Sequence, residues 1–176
     1  MSPKVRLATM WFSGCAGCHM SFLDLDERLL DLAELAEVVY SPIVDPKEIP
    51  EGIDVALIEG AVNTTEQLHL LQEIRKKARI LVAFGDCAIT GNVPSMRNPI
   101  PLEEVIREVY GDDDPPGLKD GEVPALLPKA LPLQAYVKVD YYIPGCPPDA
   151  NRIWKFLTTL IKEGRPRLEG EEIRFG

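Results

Sequence analysis

An α/β fold built on a doubly wound parallel sheet is the architecture this sequence predicts, on three observations. Short, almost wholly apolar runs recur at Val5 to Met10, Asp54 to Ile58, Arg79 to Phe84 and Val137 to Ile143, as expected for strands covered on both faces. Between them lie stretches with apolar residues at three- and four-residue steps, the period of a buried helix face. Three of the runs end in a loop that carries cysteine, and strand ends form the ligand-binding edge of such a sheet.

The first strand, Val5 to Met10, passes through Trp11-Phe12-Ser13 into Gly14-Cys15-Ala16-Gly17-Cys18-His19, and a first helix is expected over Ser21 to Val38. Phe22, Leu25, Leu29 and Leu32 supply its buried face, while Asp24, Asp26 and Glu27 suit the positive end of a helix and read as a solvated start. Val38-Val39-Tyr40 reads as a short second strand. Pro42, Pro46 and Pro50 mark an irregular connection to the third strand, which ends in Glu59-Gly60-Ala61. Thr64 with Gln67 three residues on is a capping-box start, and Leu68, Leu71 and Ile74 give that second helix its stripe before Arg75-Lys76-Lys77 ends it. His69 on the same helix reads as a surface side chain, since no second histidine lies near it in sequence.

Arg79 to Phe84 is the fourth strand, and it breaks at Gly85-Asp86-Cys87-Ala88. From Pro94 to Gln134 eight prolines interrupt everything except one helical stretch, Leu102 to Tyr110, and Asp112-Asp113-Asp114 falls in the same segment. A connection of that length in a compact domain is a cover, a docking surface or a mobile segment, and docking is the expectation taken here. Val137 to Ile143 resumes as a strand and turns through Pro144-Gly145-Cys146-Pro147-Pro148 into a last helix, with Pro148 expected in its first turn. Ile153, Phe156, Leu157 and Leu160 face the core, and Gly164 ends the helix. A single domain over residues 1–176 is expected, with residues 94–134 as its insertion.

A net charge of −9 argues against nucleic acid or an anionic membrane surface as partner. No apolar run is long enough to span a bilayer. The amino terminus runs straight into a strand without a leader pattern, so a cytoplasmic protein is expected. There, cysteines are metal ligands or redox thiols more readily than disulfides.

The loops after the parallel strands open on one edge, so Cys15, Cys18, Cys87 and Cys146 are expected to meet there. Four thiolates are a full ligand set for an iron-sulfur cluster and equally for a tetrahedral zinc ion. Structural zinc sites usually bring two close pairs, whereas 68 residues separate Cys18 from Cys87 and 58 separate Cys87 from Cys146. A third reading is thiol-disulfide exchange, because strand, C-x-x-C, helix is also the layout of a thioredoxin-like motif.

Four blocks carry a family resemblance: Cys15-Ala16-Gly17-Cys18-His19-Met20-Ser21-Phe22-Leu23-Asp24, Ile58-Glu59-Gly60-Ala61, Gly85-Asp86-Cys87-Ala88 and Ile143-Pro144-Gly145-Cys146-Pro147-Pro148-Asp149. Together they resemble the small subunit of nickel-iron hydrogenases, most nearly the soluble bidirectional, NAD-reducing type, over nearly the whole chain to about Leu160. The resemblance implies a flavodoxin-like fold whose four cysteines hold one proximal 4Fe-4S cluster beside the nickel-iron site of a large subunit. It also implies iron-sulfur and flavin (diaphorase) subunits that reduce NAD. The chain would then be the electron relay of a hydrogen:NAD oxidoreductase, with no catalytic residue of its own.

Departures narrow the match. Exported hydrogenase small subunits add a signal and a further cluster domain, complex I cluster subunits use adjacent cysteines at the first ligand position, and deazaflavin-reducing types carry more cysteines. A cluster subunit of another hydrogenase or of a complex I-like oxidoreductase remains the alternative within this class, and thiol-disulfide exchange the alternative outside it. Glu59 is the one acidic residue at the end of an apolar strand. Its carboxylate could fix the loop through backbone amides, lower the cluster's potential by its charge, or ligate iron directly.

Overall fold

In the computed structural model, which describes residues 3–111 and 115–175, the apolar runs become strands β1 (Val5–Trp11), β2 (Ala36–Tyr40), β3 (Ile53–Glu59), β4 (Val62–Thr64), β5 (Ala78–Phe84), β6 (Leu126–Leu131) and β7 (Tyr141–Ile143). The helices are α1 (Gly17–Leu23), α2 (Arg28–Leu35), α3 (Thr65–Lys77), α4 (Asp86–Thr90), α5 (Leu102–Tyr110) and α6 (Ala150–Glu163). Asp112, Asp113 and Asp114 lie outside the described residues. The main sheet is parallel throughout, in the order β2-β1-β3-β5-β7. Counted along the chain, that is the flavodoxin-like order, and it reverses direction between β1 and β3.

Alternation along the strands splits the core into two layers. Leu7, Val55, Leu57, Val82 and Phe84 face Phe22, Leu32, Ile153, Phe156, Leu157 and Leu160 of α1, α2 and α6. Ala8, Met10, Ala56, Ile58, Leu81 and Ala83 face Leu71 and Ile74 of α3 and Ala88 and Ile89 of α4. Helices therefore cover both faces, which is why β3 can be apolar at almost every position. Thr64 caps α3 by accepting the Gln67 N–H at 3.2 Å, and Gln67 Oε1 accepts back from the Thr64 N–H at 3.3 Å, the reciprocal capping box. Gly164 ends α6 in a left-handed conformation.

Four expectations need correction. The single helix expected over Ser21 to Val38 is two helices, because α1 begins earlier, at Gly17, and the chain turns at Asp24 to Glu27. Asp26 takes a left-handed φ of 50° there, and the turn tucks Leu25 into the core while Asp24, Asp26 and Glu27 stay exposed. The acidic cluster is thus a joint between helices. Residues expected to continue as helix begin β2 at Ala36, where they pair with Val5, Arg6 and Leu7.

The Pro-rich segment holds more regular structure than α5 alone. β6 pairs antiparallel with β4 in a small second sheet, and Pro128 is accommodated in a strand with only that one neighbour. The strand expected from Val137 shortens to Tyr141–Ile143, because the Asp140 carboxylate accepts the Leu81 N–H at 2.9 Å in place of a backbone carbonyl. Pro148 precedes the last helix instead of entering it: Asp149 is the N-cap and accepts the Arg152 N–H at 3.0 Å.

Candidate metal centre

Parallel pairing sets four strand ends in one row. Trp11 is opposite Glu59, Glu59 opposite Phe84, and Phe84 opposite Ile143. Cys15 and Cys18 follow the end of β1 within seven residues, and Cys87 and Cys146 each follow a strand end by three. All four thiols consequently reach the same edge, at the point where the strand order reverses. They are all free; Cys15 and Cys146 are exposed, Cys87 is half-buried and Cys18 is buried.

Hydrogen bonds tie each cysteine-bearing loop to its neighbour. Glu59 is buried at the end of β3, where Oε1 accepts the Cys18 N–H at 3.3 Å and Oε2 accepts the His19 N–H at 2.9 Å. No side chain within its own segment caps α1, so a carboxylate from the adjoining strand satisfies the free amides of its first turn. Oε2 also lies 2.5 Å from His19 Nδ1, and His19 Nε2 lies 2.9 Å from Thr9 Oγ1, which donates to Ser41 Oγ at 2.8 Å. Asp86 does the corresponding work on the other side. Its Oδ1 accepts the Gly145 N–H at 2.7 Å while its own N–H donates to the Gly145 carbonyl at 3.0 Å, which locks the Cys87 loop to the Cys146 loop. Ser21 Oγ closes the ring by donating to the Pro148 carbonyl at 2.5 Å.

Two glycines leave room for sulfur. Gly85 has φ +83°, and a Cβ there would overlap Cys18 Sγ, while a Cβ on Gly17 would stand 3.1 Å from Cys15 Sγ. The sulfurs also sense one another. Burial first, then the charges of Glu59, Cys87, Cys15 and Cys146, push the Cys18 thiol well above its usual range. Burial and then Cys146 push Cys87 up as well, partly opposed by a hydrogen bond from the Val93 N–H. A bound cation would relieve the repulsion that raises Cys18 and Cys87, so thiols gathered on this edge suit metal ligation. Among the described residues, no three His, Cys, Asp or Glu side chains are set to hold a single metal ion.

Comparison with known proteins agrees with this geometry. Residues 15–160 match the family described as NADH ubiquinone oxidoreductase, 20 Kd subunit. The delta subunit of the NAD-reducing hydrogenase HoxS of Cupriavidus necator is 40% identical over 170 residues, 93% of this chain and 81% of that one. The chain belongs to this family, among its hydrogenase subunits. A crystal structure of an NAD+-reducing [NiFe]-hydrogenase contains a chain that superposes with a TM-score of 0.91 at 45% identity, covering 99% of this chain and 100% of that one. A subunit of an F420-non-reducing hydrogenase of Methanocaldococcus jannaschii is 40% identical over 168 residues, 93% of this chain, and this chain spans 58% of its length.

In this hydrogenase-subunit fold, the four cysteines and Glu59 expected from the sequence occupy one edge, and His69 is exposed on α3, away from any other histidine in sequence. Sequence reasoning gave no role to Asp86, His19 or Ser21. Asp86 and His19 each adjoin a cysteine at a strand-end loop, and a polar residue beside a candidate ligand in such a loop was the available signal. Among the described residues, no helix is long and apolar enough to cross a membrane.

The electrostatics make an order of reactivity. A raised thiol pKa lowers the thiolate fraction about tenfold per unit, and only thiolate is alkylated. In metal-free protein at about pH 8, iodoacetamide should label Cys15 and Cys146 first, and Cys18 more than about tenfold slower. Peptide mapping over time reads the order, and Cys18 labelling as fast as Cys146 would contradict the arrangement.

Proposed function

We propose that this chain is the electron-relay small subunit of a cytoplasmic nickel-iron hydrogenase, holding one 4Fe-4S cluster on Cys15, Cys18, Cys87 and Cys146. Electrons pass through it between the nickel-iron site of a large subunit and iron-sulfur and flavin subunits that reduce NAD. The observation that carries this reading is the convergence of four free thiols from three loops on the edge of one sheet. Likeness to the delta subunit of an NAD-reducing hydrogenase supports the choice of complex.

The cysteines fit a cluster better than the two other readings of the sequence. A single zinc ion needs its sulfurs drawn into one tight tetrahedron, whereas a cube of iron and sulfide keeps its four thiolates farther apart. Arrival of the thiols from three separate strand-end loops, with only one close pair among them, supports the larger object. A thiol-disulfide exchange centre needs only one close pair, whereas two further thiols, Cys87 and Cys146, reach the same edge from separate strand-end loops.

When bound, a cluster of this kind takes up and releases one electron at a time. The residues of this chain hold its ligands and set its surroundings. Glu59 keeps the first turn of α1 against β3, and Asp86 keeps the two distal loops in register. Burial of Cys18 keeps water from one side, and the exposed Cys15 and Cys146 turn the other side outward for transfer.

The apolar surface around this edge supports docking of partner subunits. Trp11 and Met20 are 46% and 60% exposed beside the Cys15 loop, and Val93 and Met96 are 62% and 73% exposed beyond the Cys87 loop. Within residues 94–134, Arg97 anchors the base through Asn63 Oδ1 at 2.5 and 2.8 Å and the Leu127 carbonyl at 2.6 Å. Amphipathic α5 buries no residue of its own and exposes Val109 and Tyr110. A segment tied down at its base with an uncovered apolar helix suits a contact with another chain, and residues 1–176 then act as one cluster-binding domain.

Replacing any one of the four cysteines by alanine should remove most of the iron carried by this chain, counted anaerobically with the partner subunits' clusters accounted for. A variant that keeps full iron, normal reduction and normal assembly would exclude that cysteine as a ligand.

Glu59→Gln keeps the shape, removes a buried negative charge and turns one acceptor of the α1 amides into a donor. The midpoint potential of the cluster should rise, because a nearby negative charge opposes adding an electron. An unshifted midpoint with an unaltered paramagnetic resonance spectrum would leave Glu59 with the capping role alone.

A further inference from the structure

Asn92 has a backbone conformation that costs every residue but glycine. It sits at φ 32°, ψ −126°, outside the regions open to side chains with a Cβ. Its neighbours leave it no slack. The Asn92 N–H donates to Thr90 Oγ1 at 3.2 Å, and its carbonyl accepts from Ser95 Oγ at 2.7 Å and from the Ser95 N–H at 3.1 Å. Glycine would take the same turn at lower cost, so the side chain must contribute something that offsets the strain.

We infer that Asn92 tunes the metal centre: its side-chain amide donates to Cys146 Sγ at 3.4 Å and so raises the reduction potential of the iron-sulfur group that this sulfur ligates. The inference rests on the cluster assignment proposed above. A donor to a ligand sulfur stabilises the electron-rich, reduced state more than the oxidised one, because added electron density is shared with the thiolates. Cys146 is exposed in this chain, and the Asn92 amide gives its sulfur an oriented hydrogen bond from within the chain itself. The same turn directs the next backbone amide, Val93 N–H, to Cys87 Sγ. One strained residue therefore delivers two donors to two sulfurs, one through its side chain and one through the orientation of the peptide that follows it. Asparagine joins the two requirements, since its short amide both donates and tolerates positive φ better than most side chains.

The test separates the side chain from the turn. In the assembled complex, Asn92→Gly keeps the turn and the Val93 donor and removes the amide alone. Redox titration followed by paramagnetic resonance should give the parent iron content with a lower midpoint potential. The exchangeable-proton coupling of the Asn92 amide to the reduced cluster should disappear from electron-nuclear double resonance, and the variant should melt higher as the strain is released. Asn92→Asp keeps the shape, loses the donor and adds charge, so its midpoint should fall below that of the glycine variant. A glycine variant with a normal cluster, the parent midpoint and the parent proton coupling overturns the inference while leaving the cluster assignment intact. A parent complex with no cluster on these cysteines overturns both.

Discussion

The level register of four parallel strands is the constraint on which the rest of this structure depends. Because β1, β3, β5 and β7 end in one row at Trp11, Glu59, Phe84 and Ile143, loops of only three to seven residues bring Cys15, Cys18, Cys87 and Cys146 together from positions far apart in sequence. A slip of one residue in any pair would turn the strand's buried side chains to the opposite face and break the core on both sides. The packing of Phe84, Leu57 and Phe156 on one face and of Met10, Ile58 and Leu71 on the other is therefore also what aims the thiols. Stability and site geometry are set by the same contacts.

Buried carboxylates then fix the loops that carry the ligands. Glu59 and Asp86 are both buried beside the cysteines, and each is held by backbone N–H groups, Glu59 by two and Asp86 by Gly145. A buried carboxylate without such donors would be costly, whereas amides already needing acceptors at a helix start and a loop crossing make it favourable. The result is a rim of carboxylates around the four thiols. Under the proposed assignment, that surrounding would favour the oxidised, less negative state of the cluster, and the hydrogen bonds from Asn92 and Val93 to sulfur would work in the opposite direction. The potential of the proposed centre would then be a balance between these two sets of neighbours.

Much of this was legible in the sequence, for identifiable reasons. β3 and β5 were readable because burial on both faces leaves an unbroken apolar run, and α3 because Thr64 and Gln67 form a capping box that depends only on neighbours in the chain. The four cysteines and Glu59 could be assigned to one edge because parallel strands all point the same way. Features that depend on distant partners were not readable. The break after Leu23 follows from α1 starting at Gly17 under the pull of Glu59, an acceptor 40 residues from His19. The early stop in the strand before Cys146 follows from Asp140 bonding to Leu81, 59 residues away. β4 and β6 are short and pair with each other across the Pro-rich segment, where proline composition masks the strand signal.

The central claim is that the four thiols hold one four-iron cluster, and combined iron, sulfide and Mössbauer analysis of the anaerobically purified complex tests it most directly. With partner subunits separated or their clusters accounted for, the account predicts four irons and four sulfides on this chain in a single diamagnetic oxidised state, with one electron taken up on reduction. A single zinc ion on the cysteines, or a Cys15–Cys18 disulfide with no iron, would contradict it.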